Sequence, residues 1–272
     1  MTLINSARPQ HQTSKFVGLS SGLRSHYTEG AGSGPPILFL HGYIDSSRSF
    51  QALVESFSRP FHTFGLDFRG HGDSEPANSY AIEDLTADAV EFLQRVILTP
   101  AHVVGHSMGS IVAQRVAVLR PDLVLKLVLI GAAPTAANHP ELAALRDEIA
   151  KFGASVPRPF VESFQRSTVH APVPEPVISG YIGESLKVGI GAWRGALDGL
   201  LNEPAGAARP VLKQALVLWG EKDGLFGAEA QHDLARLLPR HRSIHYPDAG
   251  HAPHWEFPAR VAADIDTFLS EQ

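Results

Sequence analysis

The sequence predicts a three-layer α/β fold: a mostly parallel central sheet, helices on both of its faces, and a helical lid. Three observations predict it. Short apolar runs recur along the chain, each ending in a turn signal. Between them the apolar residues change to three- and four-residue steps. One proline-rich stretch interrupts the alternation. Strands alternating with helices imply right-handed crossovers and an open sheet covered on both sides.

The strong strand candidates are Ile37–Leu40, Thr63–Leu66, and residues 102–104, 125–130 and 215–219. Runs this short and this rich in Val, Ile, Leu and Phe suit strands buried on both faces. A weaker run, 243–246, predicts one more strand, and residues 15–20 and 24–28 predict an antiparallel pair ahead of the parallel strands. In 81–98, Ile82, Leu85, Ala89, Leu93, Val96 and Ile97 mark one face of a helix. Ile111, Val112, Val116 and Leu119 do the same, as do Val261, Ile265 and Phe268 near the C-terminus.

Residues 134–210 break this rhythm and carry nine of the 20 prolines. Pro157, Pro159, Pro172, Pro174 and Pro176 are expected to interrupt any long helix there. Shorter helices are expected over 141–152, 160–167 and 185–201. The reading is a core domain of residues 1–133 and 211–272, with 134–210 inserted above the sheet as a lid or cap.

Composition narrows the function classes. The 272 residues are 44% hydrophobic and 19% charged, ordinary values for a globular chain with a sizeable core. The net charge of −5 and the lack of a basic run argue against nucleic acid as a partner. Cysteine is absent, which excludes disulfides, thiolate zinc sites and a cysteine nucleophile. The start, MTLINSARPQHQTSK, is polar and reads as loose chain without a secretory apolar core. No run is long and apolar enough for a membrane span. A cytoplasmic protein, monomeric or homodimeric, with a small-molecule partner is the expectation.

The chemistry centres on Gly105-His106-Ser107-Met108-Gly109. Glycine two residues away on each side of a serine suits a tight strand-to-helix turn that pushes Oγ into a cleft. A serine hydroxyl needs a base, and the base needs a carboxylate to orient it. Asp223, just past the strand candidate 215–219, is the favoured carboxylate; Glu221 and Asp248 are rivals. His251, between the last strand and the last helix, is the favoured base, with His254 as the alternative. The order Ser, Asp, His is the one this turn requires. Two backbone N–H donors are needed for the developing oxyanion. Met108 offers one at the start of a helix. Tyr43, in Leu40-His41-Gly42-Tyr43, offers the other.

With these pieces in place, the chain resembles serine hydrolases of the α/β-hydrolase fold superfamily over residues 15–269. The resemblance is carried by H-G-Y (41–43), D-F-R-G-H-G-D-S (67–74), G-H-S-M-G (105–109), G-E-K-D (220–223) and G-H (250–251). It implies Ser107 as nucleophile, Asp223 as acid and His251 as base. It also implies Tyr43 and Met108 as oxyanion hole. No cofactor is expected, and no metal, because His251 and His254 at i, i+3 have no evident third ligand and H-E-x-x-H is missing. Arg69, Gly70, Gly72 and Asp73 look structural. Ser107 argues against members with an aspartate nucleophile, and a single glycine after His41 argues against H-G-G-G lipases. Hydrolysis of a mid-sized, largely apolar carboxylic ester or lactone is expected. A cofactor-free perhydrolase, a carbon–carbon bond hydrolase or a slow-turnover ligand receptor are the alternatives. Phe152, Phe160, Phe164, Tyr181 and Trp193 are the candidate pocket lining, with Ile182 and Leu197 beside them.

Overall fold

A computed structural model describes residues 12–271. Eight strands form one sheet: β1 (Gln12–Gly18), β2 (Arg24–Gly30), β3 (Ile37–Leu40), β4 (Thr63–Leu66), β5 (Ala101–His106), β6 (Val124–Ile130), β7 (Ala215–Gly220) and β8 (His241–Tyr246). Their order is β1-β2-β4-β3-β5-β6-β7-β8. β1 pairs antiparallel with β2 and β2 with β4; every other neighbour is parallel. β3 and β4 keep the bounds expected from the sequence. β1 begins earlier, so Gln12–Lys15 of the polar start are strand; the rest of that start, 1–11, lies outside the described residues.

The helices are α1 (Gln51–Glu55), α2 (Ile82–Phe92), α3 (Met108–Leu119), α4 (Pro140–Ala150), α5 (Arg158–Ser167), α6 (Glu175–Lys187), α7 (Ile190–Leu201), α8 (Ala228–Leu237), α9 (Pro253–Glu256) and α10 (Pro258–Ser270). The expected helix over 81–98 is α2 followed by one wider π turn, Leu93–Ile97. Side chains alternate across the sheet as strand geometry dictates. Leu38, Leu40, Val103, Leu127 and Leu129 face one way, clustered with residues of α2, α3 and α4–α7. Ile37, Phe39, Val104, Val128 and Leu216 face the other, clustered with α1 and α10.

Between β6 and β7 the structure differs from the sequence reading. Four helices occupy this stretch, and the single helix expected over 185–201 is two, α6 and α7, with Val188 extended between them. The prolines do not break these helices. Pro140, Pro159 and Pro176 stand in the first turns of α4, α5 and α6, Pro157 and Pro174 precede the first residues of α5 and α6, and Pro172 lies between those helices. A first-turn N–H has no intrahelical acceptor, so proline loses nothing there, and its fixed φ already suits the helix. No helix among the described residues is long and apolar enough to cross a membrane.

Candidate active site

β5 ends at His106 and α3 begins at Met108, so Ser107 alone makes the turn. Its φ is 51° and ψ −119°, a left-handed conformation that a side chain rarely adopts. The flanking glycines follow from space. A Cβ on Gly105 would collide with the Gly109 carbonyl, and one on Gly109 with the Leu40 carbonyl. The parallel strands β3 and β5 thus approach the start of α3 closely enough to hold the turn.

Three polar side chains meet at this sheet edge. His251 Nε2 lies 2.8 Å from Ser107 Oγ, and His251 Nδ1 lies 2.8 Å from Asp223 Oδ2. Asp223 Oδ1 accepts from the backbone N–H of Leu225 (2.8 Å) and Phe226 (3.0 Å), which fixes the carboxylate. The His251 backbone N–H donates to the Thr168 carbonyl at 2.8 Å, tying its loop to the end of α5. Such a chain can draw the hydroxyl proton onto the ring while the carboxylate balances the ring's charge.

Burial acts on both partners, and each overcomes it. Burial alone would lower the His251 pKa; the carboxylates of Asp223, Asp45 and Glu256, Asp223 foremost, together outweigh it, and the ring is raised above its ordinary value. Burial alone would raise Asp223; the His251 ring and the two backbone donors outweigh it, and the carboxyl is lowered.

Tyr43 and Met108 line the same cavity as Ser107, and their backbone N–H groups have no protein acceptor among the described residues. Tyr43 is held by its own side chain: its hydroxyl donates to the Trp193 carbonyl at 2.6 Å. The residue after it, Ile44, is a buried β-branched residue at φ 56°. Strain of this kind is held only where the surroundings impose it.

A cavity of about 310 Å³ opens over Ser107 and His251. Its wall is largely apolar, with Leu142, Leu145, Phe164, Leu200, Leu225, Phe226 and Trp255, and it includes Asp45, His106, Gln165 and, at the rim, Glu141. Of the aromatic residues expected to line it, Phe164 does. Phe152, Phe160, Tyr181 and Trp193 do not. Phe152 packs edge-on to Phe160 (4.9 Å), and Trp193 is buried against Tyr43 (5.6 Å). Tyr181 stacks behind Trp255 at 4.4 Å. Tyr181 and Trp193 are buried in the core, and Phe152 and Phe160 are half-buried against it. Ile182 and Leu197 are likewise core.

The rival residues sit elsewhere. Glu221 reaches the exposed His245 at 3.4 Å, and Asp248 is exposed. His254 is buried between the rings of Phe50 and His106 with both ring nitrogens unpartnered. Its neutral form is forced by burial, which drives its pKa well down. Sequence reasoning missed Leu142, Leu145, Leu225 and Phe226. The i, i+3 pair on α4 and the apolar pair that follows Asp223-Gly224 were the available signals.

One cluster, His26, Asp67 and Asp73, has metal-ligand spacing. The Asp67 carboxylate is already engaged at both oxygens, with His26 Nδ1 at 2.6 Å and the backbone N–H groups of Ser47 and Asp73 at 2.7 and 3.0 Å. It braces the loop 67–74 rather than offering free ligand atoms.

Comparison with known proteins agrees with this architecture. The family model of the alpha/beta hydrolase fold matches residues 35–258. The chain is 24% identical over 260 residues, 89% of this chain and 80% of the other, to the sn-1-specific diacylglycerol lipase ABHD11 of Danio rerio. It is 34% identical to the (E)-2-((N-methylformamido)methylene)succinate hydrolase of Acinetobacter baylyi over 119 residues. That match covers 43% of this chain and less than half, 45%, of that relative. Among solved structures, an esterase from Exiguobacterium antarcticum has a TM-score of 0.86 at 20% identity, covering 94% of this chain and 99% of that one. An E-2-(acetamidomethylene)succinate hydrolase has a TM-score of 0.81 at 27% identity, covering 96% and 100%. On the sheet order, the turn at Ser107 and the family match together, the chain belongs to the alpha/beta hydrolase fold family.

Proposed function

We propose that the chain is a serine hydrolase that cleaves a carboxylic ester or lactone through an acyl-enzyme. The observation that carries this reading is the unbroken hydrogen-bonded series Ser107, His251, Asp223 beneath a largely apolar cavity. Ser107 Oγ attacks the carbonyl carbon as His251 Nε2 takes its proton. The oxyanion faces the N–H groups of Tyr43 and Met108, and the first turn of α3 adds its dipole. Collapse of the tetrahedral species expels the alcohol, which takes the proton from His251. Water then loses a proton to His251, attacks the acyl group and frees Ser107. The helices of 134–210 act as the lid that shapes the cavity.

Two similar proteins are named as hydrolases of substituted methylenesuccinates. The cavity here favours a different substrate. No lysine or arginine lines it among the described residues, and it presents Asp45 and Glu141. A dicarboxylate would meet repulsion and no counter-charge.

Turnover on ethyl and p-nitrophenyl esters of graded acyl length, with several lactones, tests the proposal. Multiple turnovers abolished in Ser107→Ala support it. No turnover by folded protein overturns it and directs the search to perhydrolysis, carbon–carbon cleavage or ligand binding.

A further inference from the structure

Beside Ser107 the cavity wall holds two polar groups that the proton relay does not use. Asp45 and His106 are 4% and 2% exposed, and both line the cavity. Gln165 Nε2 donates to Asp45 Oδ1 at 2.9 Å and to Ser185 Oγ at 2.6 Å, which uses both of its hydrogens. The carboxylate is thereby oriented, and its second oxygen, Oδ2, has no donor among the described residues.

The state of His106 follows from its other neighbour. Its Nε2 lies 3.2 Å from the His251 carbonyl. A carbonyl only accepts, so this assigns the proton to Nε2. Burial holds the ring below its ordinary pKa despite the opposing pull of Asp45. The ring is therefore neutral at pH 7, and Nδ1 carries a bare lone pair. Nδ1 has no hydrogen-bond partner and stands 3.7 Å from Asp45 Oδ2. That separation is beyond hydrogen-bond reach. Two buried acceptors face one another with nothing to donate between them. Gly42 packs closely against both: a Cβ there would press on Nδ1 at 2.8 Å and on Oδ2 at 2.9 Å.

We propose that Asp45 Oδ2, with the acceptor His106 Nδ1 buried behind it, forms a donor-binding subsite, which selects substrates bearing a hydroxyl or N–H group near the scissile carbonyl on a neutral or cationic framework. The inference rests on the acyl-hydrolase reading of Ser107. A hydroxyl or ammonium group donates to Asp45 Oδ2, a methyl group leaves it bare, and a carboxylate is repelled. Sites built to hydrogen-bond a substrate discriminate strongly against analogues that lack the group, because their own polar atoms are then stranded.

The test compares matched ethyl esters by pH-stat at pH 7: 3-hydroxybutanoate and 3-aminobutanoate against 3-methylbutanoate and hemisuccinate. On the alcohol side, 2-hydroxypropyl butanoate is set against 2-methylpropyl butanoate. We expect kcat/KM for a donor-bearing ester to exceed its methyl partner by about 10-fold or more in at least one pair. Hemisuccinate should be the poorest of the set. In Asp45→Asn the side-chain amide can face Nδ1 itself, and the preference should collapse towards unity. Equal rates within every pair, an unchanged preference in Asp45→Asn, or hemisuccinate as the best substrate would overturn the subsite while leaving the hydrolase reading intact. Thermal melting of Ser107→Ala with ethyl 3-hydroxybutanoate and ethyl 3-methylbutanoate reads the subsite without turnover. It decides the matter if no ester is hydrolysed or if Asp45→Asn does not fold. Stabilisation by the hydroxy ester alone supports the subsite; equal or absent stabilisation rejects it.

Discussion

Ser107 is held at a φ of 51° between two glycines whose missing side chains admit the carbonyls of Leu40 and Gly109. The turn therefore presents Oγ to His251 without any movement of the backbone. Replacing Ser107 with alanine is expected to lower kcat by roughly 10⁶-fold while the fold persists, read by ester turnover and circular dichroism. Asp223→Asn keeps the shape and loses the charge; a fall of roughly 10⁴-fold is expected. The same carboxylate sets the pH profile. His251 must be neutral to act, and Asp223 raises its pKa. The acid limb of kcat/KM should therefore lie above the ordinary histidine value of about 6.5 and move down in Asp223→Asn. At this scale the sequence was most readable where backbone geometry dictates residue type, as at Gly105 and Gly109. It was least readable where a side chain chooses between two buried surroundings: Phe164 lines the cavity, whereas Trp193 turns into the core.

Among the elements, the sheet was legible because buried parallel strands are uniformly apolar; β3, β4 and β7 stand where their runs predict. The helices between β6 and β7 were harder to read. A proline has opposite meanings in the first turn and in the middle of a helix, and the boundary alone decides which applies. The segment joining α5 to α6 is fastened to the loop that carries His251. Glu256 accepts from the backbone N–H groups of Gly250 (2.8 Å), His170 (2.9 Å) and Ala171 (2.5 Å). Glu256→Gln removes the charge from all three bonds. A stability loss of about 1–3 kcal/mol in urea is expected, together with a drop in kcat as the His251 loop loosens. Gly109→Ala drives a methyl group into the Leu40 carbonyl. The expected result is a destabilisation of about 1–3 kcal/mol, with activity falling in step because β3 and α3 must separate.

At the scale of the molecule, pH acts on stability through buried carboxylates and the site histidine in opposite senses. Asp67 is the clearest case. Burial would raise its pKa, but His26 and the backbone donors hold it to about 2 from an ordinary 3.8. Its contribution, on the order of 2 kcal/mol, is complete above the ordinary value and is lost as pH falls towards 2. Asp67→Asn should therefore destabilise the protein at pH 7, with a gap that narrows below pH 4 in thermal melts. Asp223 behaves with the same sign. His251, raised when folded, contributes below its ordinary pKa, and that contribution is lost as pH rises through the folded one. The bonds from residues 168–171 to the His251 loop also govern traffic. If these residues swung outward as a flap they would drag the base away from Ser107, so that side of the cavity works as a fixed hinge wall. Any opening motion of the lid must then come from its other lining elements, such as α4, where Glu141 stands exposed.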